Sequence, residues 1–338
     1  MASEKKVSRP LVTVVVLSFN QEKFIANAID SVLAQDYENL EVVICDDCST
    51  DKTVEIIKDK VDNYEGSHAI SYFFAKKNTG VVKNFNFALS KSKGELLVAA
   101  AGDDISYENR VSVAVEYYLK YGFSAFYSSA DIIGEVGNEL GELTLKVDQP
   151  YYPPLNGEEA FKSLPFYGAG AIYSRRIFSE FGPVPNNIRN EDYNFFVRSL
   201  ITDGIAYHQH PLLAYRKHSD NLSYWVKIKN SKNLFRKANL KALSLDNQLS
   251  NMAIAKEYFL KVYGSNSRLL ESYNDYMFSV SLACFFYYLT AIKLRNPFLK
   301  VADLKARMII SGFGRLIGKA FVKAAKSAVF YFPLRMGK

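Results

Sequence analysis

The chain has 338 residues, 49% of them apolar and 23% charged, with three cysteines and a net charge of +7. That length allows two domains with a sizeable core, and the composition excludes both global disorder and a polytopic membrane protein. Cys45, Cys48 and Cys284 are too few for a disulfide framework and no apolar leader precedes Pro10, so a reducing, cytoplasmic compartment is expected.

Val12 to Leu17 is a continuous, largely β-branched apolar run, the pattern of a strand buried on both faces. Phe24 to Ala34 repeats apolar residues at helical spacing (Ile25, Ile29, Val32, Leu33), and Leu40 to Cys45 reads as a second buried strand. The alternation continues with a helix around Thr53 to Val61, a strand around Ile70 to Phe74, a helix from about Val82 to Ser90 and a strand from Glu95 to Ala100. This predicts an α/β fold, an open and mostly parallel sheet with helices on both faces. Ligands of such sheets bind beyond the carboxyl ends of the strands.

Beyond Ala125 the strands become mixed, and Val147 to Asn156, rich in proline, asparagine and tyrosine, reads as a surface connection. From about Lys229 the periodicity is helical almost throughout. Met277 to Ile292, the longest weakly polar stretch, is shorter than the ~20 residues that span a bilayer and is expected to be a buried helix. Two regions are expected: an α/β domain over residues 8–225 and a helical region over 226–338.

Three predicted strand ends carry polar clusters: Ser18-Phe19-Asn20, Asp46-Asp47-Cys48-Ser49-Thr50-Asp51 and Gly102-Asp103-Asp104. Ser, Asp and Asn ordinarily cap helices, which accounts for part of the signal at Ser49 and Asp51. Capping does not account for Asp103-Asp104, because adjacent carboxylates at a sheet edge repel each other unless a cation offsets them. Hard oxygen ligands of this kind suit Mg2+ or Mn2+, commonly held by one or two carboxylates and a substrate's phosphates.

The run Val12 to Asn20, then Ile29-x-Ser31-Val32-Leu33-x-Gln35, Glu41 through Thr53, Asn78-Thr79-Gly80, Asn84-Phe85-Asn86 and Gly102-Asp103-Asp104 together resemble the nucleotide-binding domain of glycosyltransferase family 2. The resemblance implies a GT-A fold and an inverting transfer of a sugar from a nucleoside diphosphate donor of UDP, GDP or dTDP type. It places Asp46 and Asp47 at the base and ribose, Ser18, Phe19 and Asn20 along the nucleotide pocket, and Asn78, Gly80 and Asn86 beside it. Gly102 and Asp103 would meet the donor, and Asp103 and Asp104 would hold the metal on its diphosphate. The family often has a further aspartate two positions before Asp103, where this chain has Ala101, so which of the two binds metal directly stays open.

The second half carries Arg189-Asn190-Glu191-Asp192-Tyr193. Acids at a helix start are an ordinary preference of the helix dipole. In the resembling family an acid pair in this place supplies the catalytic base, and Asp192 matches it, with Glu191 beside it to raise its basicity. A positioned carboxylate can take the proton of an attacking hydroxyl, a contribution of roughly 10² to 10⁴ in rate. Further on, Pro211 to Asn221 resembles the stretch that closes the family's catalytic domain, with Arg216 at the diphosphate or paired with a carboxylate, and His218 as a further metal ligand.

Cys45-x-x-Cys48 lacks the partners a zinc site needs, and His208 and His210 lack a third ligand, so both are read as structural. Gly312-x-Gly314-x-x-x-Gly318-Lys319 has the wrong spacing for a phosphate loop. From Lys293 to Lys338 eleven Lys and Arg face one acid, Asp303, so this tail is +10 and the first 292 residues carry −3. Arg315, Lys319, Lys323 and Lys326 interleaved with apolar residues read as a helix lying on an anionic membrane, at its inner, cytoplasmic face. No motif points to nucleic acid.

The expected reaction is therefore sugar transfer to a lipid-linked or oligosaccharide acceptor in the assembly of a cell-surface polysaccharide, such as the O-antigen of lipopolysaccharide. A catalytically inactive sugar-nucleotide or membrane-binding scaffold of the same fold is the alternative. A nucleotidyltransferase would carry a Gly-rich basic loop where this chain has Ser18-Phe19-Asn20-Gln21-Glu22.

Overall fold

The β-branched runs build the centre of the molecule. In the computed structural model, β1 (Val12–Ser18), α1 (Ile25–Leu33), β2 (Leu40–Asp46), α2 (Thr53–Asp62), β3 (Ala69–Phe74), α3 (Val81–Lys91) and β4 (Leu96–Ala101) follow one another as the periodicity predicts. Then come β5 (Ile105–Ser106), α4 (Arg110–Tyr121), β6 (Ala125–Ile133), β7 (Glu139–Leu143), β8 (Tyr151–Tyr152), a 3-10 turn at Gly168–Gly170, β9 (Ala171–Ser174), α5 (Arg176–Phe181), α6 (Asp192–Ile201) and β10 (Ile205–Arg216). The structure describes residues 9–154, 164–186, 188, 191–219, 221, 256–258, 260–262 and 274. The expected helix over Met277 to Ile292 and the basic tail lie outside the described residues.

All strands join one sheet in the order β3-β2-β1-β4-β9-β6-β10-β5, with β7 on β6 and β8 on β10. The first four in that order are parallel, β9 runs antiparallel to both β4 and β6, and β6 and β10 are parallel. Because side chains alternate along a strand, β1 feeds two cores. Val12, Val14 and Val16 pack with Ile25, Ile29, Val111 and Val115 on one face, and Val15 packs with Phe85, Tyr173 and Phe195 on the other. Burying side chains of this kind contributes roughly 1.5 to 3 kcal/mol each relative to exposure.

Register decides the site. Ser18 stands opposite Asp46, and Leu17 opposite both Cys45 and Ala101, so the polar residues that follow β1, β2 and β4 emerge at one edge. The segment read as a surface connection contains β8, which pairs Tyr151 and Tyr152 with Ala206 and Ile205. That pairing requires close approach at Gly204, which has φ +80° and where a Cβ would sit 2.1 Å from the Tyr152 carbonyl. Past His208 the pairing of β10 with β6 shifts register around Pro211, which has no N–H to give the ladder.

Candidate active site

The loops after β1 and β2 lock onto each other. Ser18 Oγ donates to Asp46 Oδ2 (2.8 Å), which also accepts from Ser49 Oγ (2.5 Å), while Ser49 N donates to Asp46 Oδ1 (2.8 Å). Asn20 N donates to Ser49 Oγ and Asn20 Oδ1 accepts from Thr50 N, both at 2.8 Å. Asn20 (φ 51°) and Cys48 (φ 69°) are the described non-glycine residues held at positive φ, a conformation that costs energy and that this cross-bonding sustains. Asp51 Oδ1 accepts from Thr53 N and Thr53 Oγ1 just before α2, whose N-cap position is Lys52 with no side-chain capping bond.

Asp47 reaches the next strand end. Its Oδ1 accepts from Thr79 N (2.8 Å) and Thr79 Oγ1 (3.0 Å), and its Oδ2 from Gly80 N (2.7 Å), where Gly80 holds φ +87° at the start of α3. Beside this clamp lies a cavity of about 350 Å³ lined by Asp46, Phe73, Thr79, Lys83, Asn84 and Phe87, a size and lining suited to a small ligand. Phe19 and Asn78 are exposed and are not among the residues that line it, whereas the Asn86 amide spans to Val184, donating to the carbonyl (2.7 Å) and accepting from the N–H (3.0 Å). Asn86 therefore joins α3 to the segment before α6.

The two adjacent aspartates part company. Gly102 N donates to Leu17 O, continuing the β1–β4 pairing, and Asp103 Oδ2 meets His218 Nε2 at 2.9 Å with Asn221 Nδ2 at 3.5 Å. Asp104 Oδ1 accepts from Arg216 N (2.8 Å), and its Oδ2 is buried with no hydrogen-bond partner. Burial, and then the charge of Asp103, push the Asp104 carboxyl well above the ordinary carboxylate range. Arg216 Nε donates to Asp103 O and its Nη1 to Gly134 O and Glu135 O, and its guanidinium lies 5.0 Å over the Phe24 ring. It braces the Asp103 loop from behind.

The donor set fits a hard divalent cation. Asp103 and His218 present an oxygen and a nitrogen side by side, and among the described residues no third His, Cys, Asp or Glu completes a protein-only site. A cation with two protein ligands and the remainder from phosphates and water is the usual arrangement for Mg2+ or Mn2+ at a nucleotide.

The acid pair is joined to this edge through Arg110. This buried guanidinium donates through Nη2 to Ala99 O of β4 (2.9 Å) and to Ala169 O in the 3-10 turn (2.8 Å), and through Nη1 to Ser106 Oγ (3.0 Å). Burial lowers its pKa to about 10, still protonated at neutral pH. The turn it holds faces Asp192: a Cβ on Gly168 would lie 3.6 Å from Asp192 Cβ and 4.0 Å from Glu191 Oε1. No motif marks Arg110 in the sequence, and the small-residue run Gly168-Ala169-Gly170 is the signal that marks the turn.

Glu191 Oε2 is buried without a partner, and burial, followed by the charge of Asp192, raises the Glu191 carboxyl from 4.5 to about 7. The folded chain thus keeps a proton that the unfolded chain has released, so stability falls as pH rises from about 4.5 to about 7, and the full cost persists above that. Glu191→Gln is expected to raise the melting temperature at pH 8 and leave it unchanged near pH 4.5, the gain reaching up to about 3 kcal/mol. Calorimetric melting at the two pH values reads this, and no gain at pH 8 would mean a solvated carboxylate.

His208 and His210 belong to β10, and Cys45 belongs to β2. His208 and His210 rings lie 5.5 Å apart on β10, with His208 Nδ1 3.2 Å from Tyr117 Oη. Burial pushes the Cys45 thiol up to about 12.

Known proteins resemble this chain in sequence and in fold. EpsE of Bacillus subtilis (strain 168), provisionally a glycosyltransferase, is 34% identical over 114 residues, which is 34% of this chain and 40% of EpsE. An uncharacterized glycosyltransferase of Haemophilus influenzae is 26% identical over 194 residues, 57% of this chain and 73% of its own. The fold is shared with the mannosyltransferase PcManGT of Pyrobaculum calidifontis in complex with GDP-Man and Mn2+ (TM-score 0.54, 16% identity, 92% of this chain and 81% of that one). It is shared also with S. aureus TarS 1-349 in complex with UDP-GlcNAc (TM-score 0.51, 18% identity, 85% and 92%). The sequence model described as Glycosyl transferase family 2 matches residues 13–182, half of the chain and the stretch that holds every donor-side residue up to Asp104, and the chain belongs to that family.

Proposed function

We propose that the protein is an inverting glycosyltransferase that takes a sugar from a nucleoside diphosphate donor and delivers it to a hydroxyl of a lipid-linked or oligosaccharide acceptor. The observation that carries this reading is the Arg110 clamp, which ties the strand leading into Asp103 to the turn that faces Asp192. The turn beside Asp192 is thereby bonded to the strand that leads into Asp103.

In this reading the cavity beside Asp46 and Asp47 takes the nucleoside, and the Ser18 to Asn20 loop with Gly102 lines the way to the phosphates. Asp103 and His218 hold the cation, with Asp104 beneath them. A bound Mg2+ or Mn2+ would offset the charge of the departing diphosphate. Asp192 accepts the proton of the attacking hydroxyl, Glu191 adds negative charge beside it, and one base acting in one displacement inverts the anomeric centre. The ligands of the structural neighbours, UDP-GlcNAc and GDP-Man with Mn2+, support a donor of UDP or GDP type. Residues 8–225 form the transfer domain and 226–338 a helical region that brings it to an anionic membrane surface, where a lipid-linked precursor of a surface polysaccharide such as O-antigen presents its sugar.

Calorimetric titration with UDP, GDP, CDP and dTDP, each with Mn2+ and with chelator, tests the donor site. Metal-dependent binding of one nucleotide is the expected result, and no binding of any would favour the inactive scaffold. Removing the residues after Met308 is expected to leave nucleotide binding intact and to abolish cosedimentation with phosphatidylglycerol vesicles; unchanged cosedimentation would end the membrane reading.

A further inference from the structure

Arg198, in α6, is fully buried, and its hydrogen bonds run to neutral oxygens. Nη1 donates to Gly182 O (2.6 Å), and Nη2 to Pro183 O (3.2 Å) and to Tyr258 Oη (2.6 Å). The guanidinium also lies 5.8 Å from the ring centres of Phe181 and Phe195 and 4.8 Å from that of Tyr258. Such stacking is worth more away from water than at a surface.

Tyr258 comes from the region beyond the expected transfer domain. Residues 256–258 and 260–262 are helical, and the Tyr258 ring joins the core that holds Phe195 and Phe196. Its hydroxyl accepts from Arg198 and donates to Asn194 Oδ1 (3.2 Å), two residues after Asp192. Lys261 Nζ adds a bond to Glu180 O (2.7 Å). One side chain thus grips the first turn of α6 through Asn194, its last turns through Arg198, and, through Arg198, the Gly182-Pro183 turn that leads towards the acid pair.

A helix pinned at two residues one turn apart on the same face resists rolling, and Glu191 and Asp192 sit at its N-terminus, where a small roll redirects both carboxylates. We propose that Tyr258 is a positioning residue for the acid pair, so that the C-terminal region completes the active site of the domain before it. The proposal rests on the reading of Asp192 as the base.

The test uses the full chain and two variants: Tyr258→Phe removes the hydroxyl and keeps the ring, and Tyr258→Leu removes both. Hydrogen exchange of peptides covering residues 182–201 is expected to accelerate several-fold in Tyr258→Phe and about tenfold or more in Tyr258→Leu. Nucleotide release to water from UDP-N-acetylglucosamine or GDP-mannose with Mn2+ reads the consequence: kcat falls about tenfold in Tyr258→Phe while the donor KM and nucleotide Kd stay put. Unchanged exchange in both variants overturns the proposal, as does a loss of nucleotide binding parallel to the loss of rate, which marks a general structural role. If water accepts no sugar from either donor, exchange alone decides.

Asp192→Asn in the same assay separates the two ideas. Wild-type turnover in Asp192→Asn with slow Tyr258→Phe would overturn the base assignment and leave the grip on α6 standing. An inactive Asp192→Asn with Tyr258→Phe normal in both readouts would keep the base and overturn the positioning role.

Discussion

Asp103→Ala is expected to abolish the metal-dependent part of nucleotide binding, and Asp104→Asn to keep it. The two carboxylates are neighbours in sequence but not in environment. Asp103 aims Oδ2 at His218 Nε2, whereas Asp104 spends Oδ1 on the Arg216 N–H and keeps Oδ2 buried without a hydrogen-bond partner. Asp104 Oδ1 is already engaged by the Arg216 N–H, and an amide of the same shape can keep accepting that bond. In wild type, chelator should weaken UDP or GDP binding by about a hundredfold, and Asp103→Ala should show that weak affinity with or without Mn2+. His218→Ala should fall between them. The reverse result, with Asp104→Asn losing the Mn2+ effect and Asp103→Ala retaining it, would exchange the two roles.

That distinction could not be read from sequence, because Asp103-Asp104 is symmetric until the chain on either side is placed. What was legible is the frame: the apolar runs set β1, β2 and β4 to within a residue, since a strand buried on both faces leaves a near-continuous apolar signature. Strand order then brought Ser18, Asp46, Asp47 and Gly102 to one edge, as parallel β-α-β connections require. The charged residues that hold the interior were not legible. Arg110 and Arg198 sit on helices whose pattern reads as ordinary amphipathic surface, and their burial depends on carbonyls supplied by Ala99, Ala169, Gly182 and Pro183 from distant segments. Arg216 and Asn86 illustrate the converse. Both carry ligand-binding chemistry in sequence, and both are committed to backbone groups in the fold.

The acid pair gives the last and largest expected effect. Asp192→Asn should lower transfer by about 10² to 10⁴ while leaving nucleotide affinity unchanged. Asp192 Oδ1 accepts from Tyr193 N (2.9 Å), a bond an amide oxygen can keep. What is lost is the capacity to take a proton. Glu191 supplies the pH dependence: with its carboxyl at about 7, it becomes negative as pH rises through neutrality, and a negative neighbour makes Asp192 a better proton acceptor. Transfer rate should therefore climb through pH 7 in wild type, and that climb should be missing in Glu191→Gln, whose side chain stays neutral throughout. A full-rate Asp192→Asn would move the base elsewhere, and a Glu191→Gln profile that still climbs through pH 7 would remove Glu191 from the proton transfer while leaving Asp192 in it.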